Sequence, residues 1–151
     1  MWATLPENKH NTADQNPRVF ESDLPTFTTD VRMQKVSDLF ATSAGHADDA
    51  SQIQGSGGGG PCEAVFWVKE LGMQWRFRGT AFIVGNDVEG ENTSGVRTLK
   101  TEIGARMRNV GEGGRKEGWS WARELRAHFG NCSPGMRGPH STLFFVAHDQ
   151  D

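Results

Sequence analysis

The segment Glu63–Gly85, EAVFWVKELGMQWRFRGTAFIVG, constrains the fold more than any other part of the chain. Its aromatic and β-branched residues suit a pleated surface, and Leu71-Gly72-Met73 in its middle offers a tight turn in which Gly72 takes a positive φ. The segment therefore predicts an antiparallel hairpin. In the first arm Ala64, Phe66 and Val68 alternate with Val65, Trp67 and Lys69, so both faces are apolar, as in a strand buried on two sides. In the second arm Trp75 and Phe77 face one way while Gln74, Arg76 and Arg78 face the other. An amide and two guanidinium groups beside aromatic rings predict a seat for a flat, anionic ligand. Gly79 then interrupts the alternation, which predicts a bulge or a close backbone approach.

Two isolated strands are marginal in water, so the hairpin needs neighbours. Leu24–Thr29 (LPTFTT) reads as a short strand, Asp30 as an N-cap, and VRMQKVSDLF after it as an amphipathic helix. Thr42–Pro61 is rich in Gly, Ser, Ala and Asp and reads as a loop. Its GSGGGG run lacks the Lys-Ser/Thr ending of a phosphate-cradling P-loop. Val96, Leu99, Ile103, Met107 and Val110 recur at helical spacing, and a second helix is expected over about residues 119–129, with Trp121, Leu125 and Phe129 on one stripe and Gly130 as its stop. Residues 1–22 are polar and broken by Pro6 and Pro17, which predicts a flexible arm. The expected organisation is thus an arm over 1–22, one domain over 23–138 with a Gly-rich loop at 42–61, and a divergent tail over 139–151 that follows no pattern.

Composition narrows the function classes. The chain has 151 residues, of which only 35% are hydrophobic, with 19 glycines and no tyrosine, so an ordered middle with poorly ordered ends is expected. A net charge of -3 argues against a dedicated binder of nucleic acid or of an anionic membrane. Eight Lys and Arg residues between Arg97 and Arg126 alternate with four acids, as on a solvated helical face. Cys62 and Cys132 stand in no metal-ligand spacing and read as reduced thiols. With no signal-like or membrane-spanning apolar run, a soluble cytoplasmic protein without a metal is expected.

Three blocks taken together, FTTDVRMQK (Phe27–Lys35), EAVFWVKELGMQWRFRG (Glu63–Gly79) and WSWARELRAHFGNCSPGMRG (Trp119–Gly138), resemble the flavin-binding split barrel of the pyridoxamine 5'-phosphate oxidase superfamily, and most closely its oxidase-like branch in fungi and cyanobacteria. The resemblance implies an α+β or mainly β fold, a partial FMN-binding split β-barrel with flanking helices. It implies FMN as cofactor, a homodimer with FMN at the subunit interface, and no nucleic-acid or membrane partner. Thr28, Thr29 and Lys35 would then lie near the FMN phosphate, and Gln74 at the isoalloxazine ring. Hydroxyls, free N–H groups at a helix start and an ammonium suit a phosphate dianion, and an amide can both donate to and accept from the ring's polar edge.

Each residue also has a plainer reading: the threonines as strand residues, Lys35 as a solvated helix lysine, and Gln74, Arg76 and Arg78 as the wet face of a hairpin. Departures from the family pattern are expected to weaken the site. Only Arg18 precedes the FTTD block where the family has a phosphate-binding Arg, and Gln34 stands where the oxidases have Arg. No residue matches the Arg and His that hold the pyridoxal phosphate substrate beyond Gly138, so a truncated relative is expected. The resulting reading is an FMN-binding oxidoreductase of unknown substrate, with an inactive remnant or interaction module of the same fold as the alternative.

Overall fold

The computed structural model describes residues 16–43, 53–90, 93–111, 118–131 and 142–148. It is an α+β arrangement built on a four-stranded antiparallel sheet in the order β2 (Thr26–Asp30), β6 (Thr142–His148), β4 (Met73–Val84) and β3 (Gly57–Val68). A separate two-stranded ribbon pairs β1 (Phe20–Glu21) with β5 (Arg108–Asn109). The predicted hairpin is present as β3 and β4, joined by a short 3-10 turn at Lys69–Leu71 and by Gly72, whose φ is 59°.

The sheet sits between helices because its strands alternate sides. On one face Ala81 and Ile83 of β4 meet Val36, Leu39 and Phe40 of α1 (Gln34–Ala41), joined by Phe27, Val31 and Cys62. On the other, Phe82 and Val84 meet Leu24, Val88, Leu99 and Ile103, with Met107, Trp121 and Leu125 packed behind; these bring in α2 (Ser94–Gly104) and α3 (Trp121–Asn131). Phe82, Ile83, Val84, Val96 and Leu99 are fully buried, so the sheet's base is the core. Burial of large apolar side chains of this kind contributes about 1.5–3 kcal/mol each.

Several sequence expectations shift. Asp30 ends β2 and does not cap α1: its carboxylate accepts from the Arg32 backbone N–H (2.9 Å) and its carbonyl from the Met33 N–H (3.1 Å). That turn delays the helix to Gln34, and Met33 at its N-cap position supplies no side-chain cap. The Gly-rich segment is not wholly a loop, since Gly57–Pro61 forms the inner end of β3. Gly57, Gly58 and Gly59 take φ of 138°, 93° and 103°, and the ladder slips by one residue between Gly58 and Gly60. The bulge therefore lies there and not at Gly79, which pairs regularly with Cys62. Gly60 permits a close approach of α1, because a Cβ there would lie 2.6 Å from the Leu39 carbonyl oxygen.

The helix read through Val110 ends at Gly104, and Arg108–Asn109 turns away as β5. Thr93 caps α2 by accepting from the Val96 N–H (3.4 Å), and Ser120 caps α3 by accepting from the Arg123 N–H (3.2 Å). Gly130 lies inside α3. The stretch after residue 138, which follows no legible pattern, contains β6, and β6 pairs with β2 from Thr26 to Asp30 and with β4 from Thr80 to Val84. It thereby joins the two halves of the sheet. Cys62 is half-buried on β3, whereas Cys132 and residues 1–15 of the predicted arm lie outside the described residues.

Candidate functional site

The sheet register decides which predicted site residues meet. Thr26 and Thr28 align through β6 with Phe82 and Val84, whereas Phe27 aligns with Ile83. Phe27 and Thr29 consequently point to the α1 face of the sheet, and Thr28 to the opposite face. Thr29 is buried, with 6% of its surface exposed. Lys35, in the first turn of α1, holds its Nζ 5.9 Å from the centroid of the Phe27 ring. Thr29, Lys35 and the α1 N-terminus thus share one face, while Thr28 is separated from them by the sheet.

The α1 N-terminus is chemically specific. With no side-chain cap, and with the first helical bond running from the Val36 N–H to the Met33 carbonyl (2.9 Å), the N–H groups of Gln34 and Lys35 find no protein acceptor among the described residues. The Gln34 side chain is engaged elsewhere, donating to Ser37 (3.0 Å) and Asp38 (2.9 Å). Arg32 lies just before the helix, held to Asp30 by an ion pair of 2.6 Å, and this partner raises the guanidinium pKa through its hydrogen bond. Two free N–H groups and an exposed ammonium form a cradle suited to a phosphate dianion, the Arg32 guanidinium being already held by Asp30. The expected Thr29 and Lys35 lie on this face, and the free N–H groups expected at a helix start are those of Gln34 and Lys35, at the uncapped MQK start.

Gln74 lies elsewhere. It pairs with Trp67 near the tip of the hairpin and is exposed. The first residue of β4 that pairs with β6 is Thr80, six residues on and about 20 Å along the strand at ~3.3–3.4 Å per residue. The single chain therefore does not bring Gln74 to α1. Nor do Arg76 and Arg78 stand open for an anion: Arg76 Nη1 donates to Glu63 Oε1 (2.5 Å) and Arg78 Nε to Glu63 Oε2 (2.7 Å). The hydrogen bond from Arg78, with Arg76 adding its charge, holds the Glu63 carboxyl below its usual range.

A family model of the pyridoxamine 5'-phosphate oxidase FMN-binding domain matches residues 5–85, just over half of the chain, and so takes in β2, α1 and the whole hairpin. The chain belongs to this family. The family match ends before α2 and α3, so the Trp119–Gly138 block that contributed to the resemblance lies outside it. No curated protein and no solved structure matches the chain. The α1 cradle falls inside the FMN-binding domain, and its donors fit the phosphate end of that cofactor. Among the described residues no group of three or more His, Cys, Asp or Glu side chains is placed to hold a metal ion, and no helix is long and apolar enough to cross a membrane.

Proposed function

We propose that this protein is an FMN-binding flavoprotein of the pyridoxamine 5'-phosphate oxidase-like group, active as an oxidoreductase and as a homodimer. The observation that carries the reading is the uncapped N-terminus of α1, with the Lys35 ammonium beside it, inside the segment that matches the FMN-binding domain. The bound flavin supplies the redox chemistry, and the protein supplies binding and orientation. The Gln34 and Lys35 N–H groups and the Lys35 ammonium hold the phosphate. Thr29, buried on the same face, fixes the end of β2 from which the cradle turn departs.

Titration of FMN into the purified protein, followed by flavin fluorescence and by thermal melting, tests the reading. Binding raises the melting temperature through linkage to the folded state. Lys35→Ala removes one charge-assisted hydrogen bond, worth about 1.5–3 kcal/mol, and is expected to weaken FMN binding roughly 10- to 100-fold. A wild-type protein that neither quenches FMN nor melts higher in its presence would sink the proposal.

A further inference from the structure

The α1 cradle is short of positive charge for the ligand proposed for it. From Asp30 to Asp38 the chain carries Asp30, Arg32, Lys35 and Asp38, two charges of each sign, whereas a phosphate ester brings about 1.5 to 2 negative charges at neutral pH. The Lys35 ammonium is one available cation. The other is the Arg32 guanidinium, on a residue whose Cα lies at most about 7.6 Å from that of Gln34, two steps of about 3.8 Å along the chain. Asp30 holds it through Nε to Oδ1 (3.0 Å) and Nη2 to Oδ2 (2.6 Å). With this fork a guanidinium grips any pair of acidic oxygens, those of a phosphate included. The pair is open to water, the Arg32 side chain being 61% and that of Asp30 34% exposed. Ion pairs so exposed contribute little to stability, so exchanging one acidic partner for another costs the fold little. The turn itself does not need the guanidinium: the Asp30 carboxylate also accepts from the Arg32 backbone N–H (2.9 Å), and the Asp30 carbonyl accepts from the Met33 N–H (3.1 Å).

We propose that Arg32 is an exchangeable phosphate ligand: Asp30 stores its guanidinium beside the α1 N-terminus, and the phosphate of FMN takes it over on binding. The proposal rests on the flavin reading above and deepens it. No covalent bond changes, and one ion pair replaces another. Asp30 then acts in two opposed ways. It keeps the guanidinium close to the helix start, and it competes with the phosphate for it. Neutralising the carboxylate while keeping an oxygen that accepts from the Arg32 N–H, as asparagine does, therefore strengthens the grip on FMN.

Fluorescence titration of the full chain with FMN, and with riboflavin, which lacks the phosphate, tests this. Arg32→Gln is expected to weaken FMN binding on the order of tenfold, and Arg32→Lys by less, since an ammonium keeps the charge without the fork. Asp30→Asn is expected to tighten FMN binding severalfold, and that gain should shrink when Arg32→Gln is also present, as for two residues acting through one contact. Riboflavin should bind each variant as it binds the wild type, and without flavin each variant should melt within about 4 °C of the wild type. An unchanged FMN affinity for Arg32→Gln, an equal loss for riboflavin, or a weaker FMN affinity for Asp30→Asn would each overturn the proposal. If Lys35→Ala weakens FMN binding and Arg32→Gln does not, the flavin reading stands and the exchange alone falls. If the wild type takes up no FMN, both fall.

Discussion

The two ends of the β3–β4 hairpin share a sequence style but have opposite fates. At the base, Ala81–Val84 lie between α1 on one face and α2 on the other, and every side chain of that stretch is buried. At the tip, Val65, Trp67, Leu71, Met73 and Trp75 are comparably apolar and are 47–67% exposed. An apolar alternating strand states that its faces want cover; it does not state which copy of the chain provides it. The base is covered by helices of the same chain, and among the described residues the tip is exposed.

Core truncation gives the largest separation between these regions. Phe82→Ala removes a ring that is 2% exposed, and should cost about 3–5 kcal/mol through lost transfer energy and a cavity that the sheet cannot collapse. Trp75→Ala, at protein concentrations too low for association, should cost below about 1 kcal/mol despite deleting a larger side chain, as for a surface change. Urea denaturation of both variants checks the contrast. Equal losses would mean that the tip is packed within the single chain, and the distinction between the two ends would fail.

A clamp at the hairpin base gives a middle-sized effect. Ser56, fully buried, accepts from the Gly85 N–H (2.9 Å) and donates to Asp87 Oδ1 (2.7 Å), while its own N–H donates to Asp87 Oδ2 (3.0 Å). These bonds tie the start of β3 to the end of β4. Ser56→Ala strands the Gly85 N–H and should cost about 1–3 kcal/mol. Ser56→Thr, which retains the hydroxyl, should recover part of it; if alanine and threonine behave alike in urea, the clamp does not hold the base.

How much of this was legible follows from how local each signal is. The hairpin, the Val96–Leu99–Ile103 stripe and the Trp121–Leu125 stripe are short-range patterns, and all appear in the structure. The α1 start was misread because Asp30 resembles a cap in sequence but spends its carboxylate on Arg32. Glycine signals loops, which hid the inner end of β3; only the approach of Leu39 across the sheet shows why Gly60 stands there. The TLFFVAH run of β6 is a brief apolar stretch of the kind central strands favour, yet nothing local reveals that it threads between β2 and β4. Thr29 and Lys35, expected together from the family pattern, do share one face of the sheet. The separation of Thr28 by sheet face and of Gln74 by strand length depends on register, which is a long-range property.

The smallest effect is electrostatic and belongs to the tip. Glu63 is paired with Arg78 and Arg76 on the exposed face, and the hydrogen bond from Arg78 is the main cause of its lowered pKa. A carboxyl whose pKa is depressed by folding binds fewer protons in the folded state, so its contribution is complete above the ordinary glutamate range and fades as pH falls through the folded value. Asp23, lowered mainly by its hydrogen bond from Arg108 between the β1–β5 ribbon and the segment before β2, titrates in the same sense. Both ion pairs are solvent-exposed, so high salt should shrink the effect. The urea midpoint of the wild type is therefore expected to fall slightly between pH 6 and pH 3, with Glu63→Gln and Asp23→Asn each flattening part of that slope. If the pair at Glu63 proved as costly to lose as the Ser56 clamp, the tip would be shielded from water, and the contrast between the two ends of the hairpin would fail.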